Sequence, residues 1–224
     1  MALSLLILMS VLFAVTHIGM SHDPFRARLV ERLGPKGFQV VYSVVSLVTF
    51  GVAVSVFAGN RKAGPVLWAT PHWLYPVVYL LMLLAFLLLV LSMRDRSPAM
   101  MIGGKMEPEG VLRITRHPMN MALACFALAH MIANGSLGDV AFFGSIFVVG
   151  FFGSYHQDRR KVREKGEDYV AFQGQTGVFP FASILQGKTG LAAKDLRMPF
   201  VIIAVLAFVA ALLVHEELFG LRPF

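Results

Sequence analysis

Two histidines lie inside apolar runs of this chain. His17 follows Phe13 and Ala14 by one helical turn, and His130 follows Phe126 and Ala127 in the same way. An ionisable side chain in such surroundings is costly, so each is read first as a functional candidate. Neutral imidazole is the commonest metal ligand and a frequent axial ligand of haem iron. Plainer readings stand beside this one. His17, near the end of its run, reaches toward headgroups, although its small neighbours leave room for a flat ligand. His130 makes a structural hydrogen bond to Thr49 or to a backbone carbonyl, worth about 0.6–2 kcal/mol in a membrane. Residue types alone leave both readings open.

The other candidates have strong structural explanations. His117 precedes Pro118, a good first residue of a helix, so Arg116-His117 is expected to face the headgroups. His117 lies roughly 20 Å from His130 along a helix, and the two cannot hold one iron. Arg113 and Arg116 are suited to haem propionates or phosphates at that edge, with snorkelling as the alternative. His22, His72, His156 and His215 are read as interface residues. His215-Glu216-Glu217 has no second histidine four residues on, so it is not a zincin helix. The single cysteine, Cys125, excludes an intrachain disulfide and a cysteine-cluster metal site. There is no Cys-x-x-Cys-His for covalent haem, no nucleophile elbow, no P-loop and no dinucleotide fingerprint.

These residues need elements to hold them. The chain is 57% hydrophobic and 15% charged, with mean hydropathy +0.69. That composition predicts an all-α, polytopic membrane helix bundle. Six apolar segments approach the length a bilayer requires: 2–20, 38–58, 74–93, 118–133, 140–155 and 198–215. The first is read as a spanning helix rather than a cleaved signal, because no Lys or Arg precedes Arg26. No repeat or long linker divides the segments, so 1–224 is read as one domain. Within it, 156–197 is a basic cytoplasmic loop, and its stretch 176–187 is an interfacial or re-entrant turn.

Charge sets the expected orientation. Of the 20 Lys and Arg residues, 17 fall between segments one and two, three and four, or five and six. Only Arg61, Lys62 and Arg222 fall on the other side. The positive-inside rule then puts these three loops in the cytoplasm and both termini outside, as in a bacterial inner membrane. The net charge of +7 is explained by anionic lipid headgroups, and nucleic acid is not an expected partner. The stretch 23–34 is basic and amphipathic, and it should lie along the membrane surface. Tyr42, Ser46, Thr49 and Ala53 share one helix face that should pack inward. The segment 74–93 has almost nothing polar past Tyr79, which suits lipid contact.

Several motifs coincide in order along nearly the whole chain. They are Thr16-His17, the run from Arg113 to Pro118, Ala129-His130 followed by Asn134-Gly135, and Asp158-Arg159-Arg160. Gly166 to Tyr169, Thr176, and the run from Pro180-Phe181 to Gly187 complete the set. As a set they resemble the NnrU family, which includes plant and cyanobacterial 15-cis-ζ-carotene isomerases. The resemblance implies a b-type haem held by two histidines, matching His17 and His130. The isomerases carry a cysteine, proposed as an alternative ligand, where this chain has Ala127.

On a linear ruler His17 and His130 differ in depth by roughly 10 Å, so helix tilt has to bring them level. His17 with His117 is the fallback pair, and Arg116 would lie on the propionate side. Three functions are implied. The first is cis–trans isomerisation of a ζ-carotene-like polyene. The second is a non-enzymatic haem protein supporting nitrogen-oxide metabolism. The third is membrane methyl transfer, as in isoprenylcysteine and phospholipid methyltransferases, where this chain has Asn120 in place of a tyrosine.

Overall fold

Prolines, glycines and polar caps punctuate the apolar runs into eight α-helices, seen in a computed structural model that describes residues 2–100 and 103–220. They are α1 (Ala2–Ser21), α2 (Phe25–Gly59), α3 (Tyr75–Arg94), α4 (Pro118–Ala133), α5 (Leu137–Lys165), α6 (Glu167–Gln175), α7 (Ala182–Leu185) and α8 (Met198–Phe219). Arg222, counted above with the outer charges, lies outside the described residues. The structure is an all-α membrane-type bundle. Helices α1, α2, α3, α5 and α8 are long and apolar enough to cross a bilayer. Helix α4 is the fourth of the six apolar segments, but its 16 residues fall short of the usual ~20.

Local chemistry explains several boundaries. Helix α2 breaks at Gly34 (φ 70°, ψ 166°), and Pro35 starts its second part. Proline disfavours helical backbone in the residue before it and suits the first position of a new helix. The basic stretch before Gly34 is thereby set off from the apolar span after it. Helix α5 opens on Ser136, whose hydroxyl accepts from the Asp139 amide at 3.1 Å. It runs beyond Tyr155 to Lys165, so the first basic residues after the fifth apolar segment are still helical.

The helices pack in the order α2, α1, α5, α4, α3, α8. Close approach of α4 and α5 depends on Gly150. A β-carbon there would lie 2.7 Å from the Asn120 carbonyl oxygen. Phe13, Ala53, Ala127 and Phe142 form the core on one side of this seam, and Leu88, Val111, Met121 and Ala124 form it on the other. Helix α8 touches α3 and leaves Ile202, Leu206 and Leu213 exposed.

Helix α3 meets the expectation of lipid contact on one face, where Val77, Leu80, Leu89 and Met93 are exposed, and packs on protein with the other. It lies between α4 and α8, with Leu88 and Leu91 buried. A helix apolar all round suits lipid and an apolar neighbour equally, so its composition could not distinguish them.

The loops gather at two ends. At one, Thr70 donates to the Ile132 carbonyl, Leu67 pairs with Gly135 at 2.7 Å, and Arg61 reaches the Phe219 carbonyl. At the other, the basic loops meet. Arg163 pairs with Asp23, Arg26 lies 3.9 Å from Glu164, and Arg160 donates to the Ala99 carbonyl at 3.2 Å. The stretch 176–187 also sits there. Its Gly177 carbonyl accepts from the Arg116 amide at 2.8 Å, and its Phe181 amide donates to Ile114 at 2.9 Å.

Candidate functional site

The α1–α2 pair holds His17 by two hydrogen bonds from the face expected to turn inward. Tyr42 Oη lies 2.7 Å from Nε2, and Ser46 Oγ lies 3.1 Å from Nδ1. A neutral imidazole satisfies both, donating at one nitrogen and accepting at the other. Thr49 is not part of this set and bonds back to Val45 at 2.8 Å. Ala53 is fully buried on the same face.

His17 faces a cavity of about 420 Å³ between α1, α2, α4 and α5. That volume is in the ordinary range for small-molecule sites. Its apolar wall includes Phe13, Phe50, Leu123, Ile146 and Val149. Gly150 and Gly153 leave α5 flat where it borders the space. Arg26, His156 and Arg160 also line it. They lie among the basic loops and form its polar mouth. No Asp or Glu lines the cavity among the described residues. The space therefore offers apolar contact, the His17 imidazole held by Tyr42 and Ser46, and a cationic end that includes His156, without a carboxylate for acid–base work.

His130 is elsewhere. Its Nδ1 meets the Phe126 carbonyl oxygen at 2.8 Å, the backbone alternative expected of it. Its ring stacks on Phe143 at 4.5 Å and lies 4.2 Å from Phe126. Between the two histidines runs a file of phenylalanines. Phe13 is 5.6 Å from His17, Phe50 is 4.9 Å from Phe13, and Phe142 and Phe143 complete the link to His130. His130 is not among the residues lining the cavity. As they stand, His17 and His130 do not fit as the two ligands of one porphyrin.

His117 and Arg116 form a second constellation. His117 does not face outward, as its sequence position suggested, but is 2% exposed at the start of α4. Its Nε2 lies 2.7 Å from Asp158 Oδ1. Arg116 donates to the same carboxylate from Nε at 2.9 Å and from Nη2 at 2.6 Å, and from Nη1 to the Thr176 carbonyl at 2.7 Å. Tyr169 donates to Asp158 Oδ1 at 2.7 Å. Burial, then the adjacent Asp158 carboxylate, push the Tyr169 hydroxyl far up from its ordinary value. The charge that would face headgroups is taken inward because one buried acid satisfies three donors. Neither Arg116 nor His117 borders the His17 cavity. Arg113 is also paired, lying 3.3 Å from Asp195 and donating to Thr189 at 3.1 Å.

The match to known proteins agrees with the motif set. The family described as NnrU protein matches residues 5–223. The chain belongs to the NnrU family. It is 26% identical over 211 residues to the chloroplastic 15-cis-zeta-carotene isomerase of Zea mays, covering 90% of this chain and 57% of that protein. It is 27% identical over 231 residues to the Arabidopsis thaliana protein of the same name, covering 96% of this chain and 60% of the relative. This NnrU chain thus spans less than two thirds of the length of the two relatives. No solved structure matches it.

Sequence reasoning assigned no role to Asp158 or Tyr169, although both lie in quoted motifs. The available signal was an acid, Asp158, at the head of a run with five basic residues and one further acid, Glu164, between 159 and 165. The partnership of Tyr42 and Ser46 with His17 was half visible, as an inward face without an assigned partner.

Proposed function

We propose that this NnrU chain is an isomerase-like membrane protein that binds a ζ-carotene-like polyene in the His17 cavity and turns a cis double bond to trans. The observation that carries the reading is the cavity itself. It has an apolar wall, lies beside lipid-length helices and lacks a carboxylate. A hydrocarbon offers no polar handle, so shape and apolar contact must position it. Turning a double bond from cis to trans relocates no proton or group, so it does not require an acid–base pair. Phe13, Phe50, Ile146 and Val149 would hold the polyene and exclude water, while Tyr42 and Ser46 fix the orientation of His17. The names of the two plant relatives support the substrate class.

Haem is the cofactor the family resemblance implies. The placement of His17 and His130 does not provide a bis-histidine site without opening the phenylalanine file, and no step here passes through it. The charge distribution supports the basic loops on the cytoplasmic side of a bacterial inner membrane, with both termini outside. The relatives' names place those proteins in the chloroplast.

The test is expression in a pigment host that accumulates 15-cis-ζ-carotene, with isomers separated by chromatography. Wild-type chain should shift the pool to the trans isomer, and Val149→Trp, which fills the cavity, should abolish the shift. Absence of conversion by membrane-inserted, folded wild-type protein would overturn the proposal. So would full conversion by Val149→Trp.

A further inference from the structure

The mouth of the cavity carries more positive charge than its surroundings neutralise. Arg26 and Arg160 both line it, and their side chains are 23% and 13% exposed. Arg160 donates from Nη2 to the Ala99 carbonyl at 3.2 Å, and among the described residues neither arginine has a carboxylate at hydrogen-bond distance. Among the described residues the acid within 4 Å of both is Glu164, 3.9 Å from Arg26 and 3.7 Å from Arg160, with Asp23 acting on Arg160 from farther away. Glu164 is already held by Lys161 at 2.8 Å. Three cations thus share one carboxylate, and the closest is the lysine that does not line the cavity. Arg26 also lies over the Phe38 ring at 5.3 Å, which keeps its guanidinium beside the opening. Two guanidinium groups that border one cavity and share a single acid with a closer lysine leave room there for a further acceptor. A bare hydrocarbon cannot supply one.

We propose that the cavity also takes an anionic amphiphile, whose carboxylate or phosphate head sits between Arg26 and Arg160 and whose apolar chain lies along Phe13, Phe50 and Val149. The proposal rests on reading the cavity as a ligand site, but not on the isomerase reading. A fatty acid and an acidic phospholipid share this chemistry. The head accepts from guanidinium N–H groups at the mouth, and a planar guanidinium suits either oxyanion. Bound this way, the amphiphile would compete with a polyene for the apolar part of the space.

The test uses cis-parinaric acid, which fluoresces in apolar sites, and its uncharged methyl ester, titrated into the full chain in a neutral detergent. Wild type should bind the acid about tenfold more tightly than the ester, the order of a charge-assisted hydrogen bond. Arg26→Gln and Arg160→Gln should each bring the two affinities together by weakening the acid alone, whereas Arg160→Lys should keep part of the difference. Arg26, the more exposed of the two, keeps the test decisive if Arg160→Gln fails to fold. Displacement by oleate or by dioleoyl phosphatidic acid identifies which head is preferred. Equal binding of acid and ester by wild type would overturn the proposal, as would an unchanged difference in both glutamine variants. Failure of the ester to bind at all would overturn the cavity reading itself.

Discussion

Asp158→Asn should be among the most damaging single-atom changes in the chain. The carboxylate accepts from Arg116 at 2.6 and 2.9 Å, from His117 at 2.7 Å and from Tyr169 at 2.7 Å. Its side chain is 8% exposed, those of Arg116 and His117 are 12% and 1% exposed, and Tyr169 is fully buried. The amide keeps one acceptor oxygen and turns two N–H donors toward donors. It also leaves the Arg116 guanidinium buried without its counter-charge. Breaking a buried pair in this way costs about 3–5 kcal/mol. At ~2–4 °C per kcal/mol for a chain of this size, the loss is about 6–20 °C in Tm. Thermal unfolding in detergent, followed by tryptophan fluorescence, measures it. Trp68 bonds the Ile132 carbonyl at the opposite end of the bundle, so a shift there reports unfolding that has spread through the helices. Arg116→Ala with Asp158→Ala should cost less than the sum of the two single changes, because the double variant buries no lone charge. A Tm within about 2 °C of wild type for Asp158→Asn, or strict additivity in the cycle, would refute the account of the cluster.

Other outcomes follow from the same geometry. His17→Ala should alter ligand binding in the cavity, whereas His130→Ala removes a side chain outside it and should leave binding of the parinaric ester unchanged. Equal loss in both would count against their separation. If haem co-purifies with the chain, a reduced-minus-oxidised spectrum of the same two variants tests the pair directly, and loss in both would mean that the phenylalanine file opens. The raised Tyr169 value carries a definite sign: its contribution is complete below the ordinary tyrosine value near pH ~10 and is lost as pH rises above it. Wild type should therefore lose stability in that alkaline range more steeply than Tyr169→Phe, as read from denaturation midpoints across pH. Gly150→Leu should prevent normal packing of α4 on α5, since even a β-carbon would lie 2.7 Å from the Asn120 carbonyl oxygen. Its expected signature is a large drop in Tm, and an unchanged Tm would contradict the close approach.

Much of the bundle was legible because lipid-length helices announce themselves by long apolar runs. The break before Pro35 was legible for the same physical reason that produces it: proline restricts its predecessor and starts a new helix. The inward face of α2 was readable at Tyr42, Ser46 and Ala53, since a polar or small stripe in an apolar helix has to face protein. Less legible was anything that depends on a partner far away in sequence. Arg116 and His117 look like headgroup residues in isolation, and only Asp158, 41 residues beyond His117, draws them inward. The placement of His17 and His130 is a similar case. A linear ruler gave reason to expect a difference in depth, but the phenylalanines between them come from α1, α2 and α5, and no local pattern assembles that file.

The buried cluster and the cavity are best understood as the two sides of α5. Asp158 and Arg160 are two residues apart, so they project about 200° from each other around the helix. The Asp158 side, continued by Ser154, meets α4 and α6 through Asn120 and Tyr169. The Arg160 side, continued by His156 and Gly153, borders the cavity. A helix held from one side by a carboxylate accepting from three residues has little freedom to rotate. That constraint aims Arg160 at the mouth even though Glu164 satisfies it poorly. The cluster lies outside the cavity, and its role in ligand binding is positional: loosening it should first change the acid-over-ester preference at the mouth, while the apolar wall built on Phe13 and Phe50 still holds the ester.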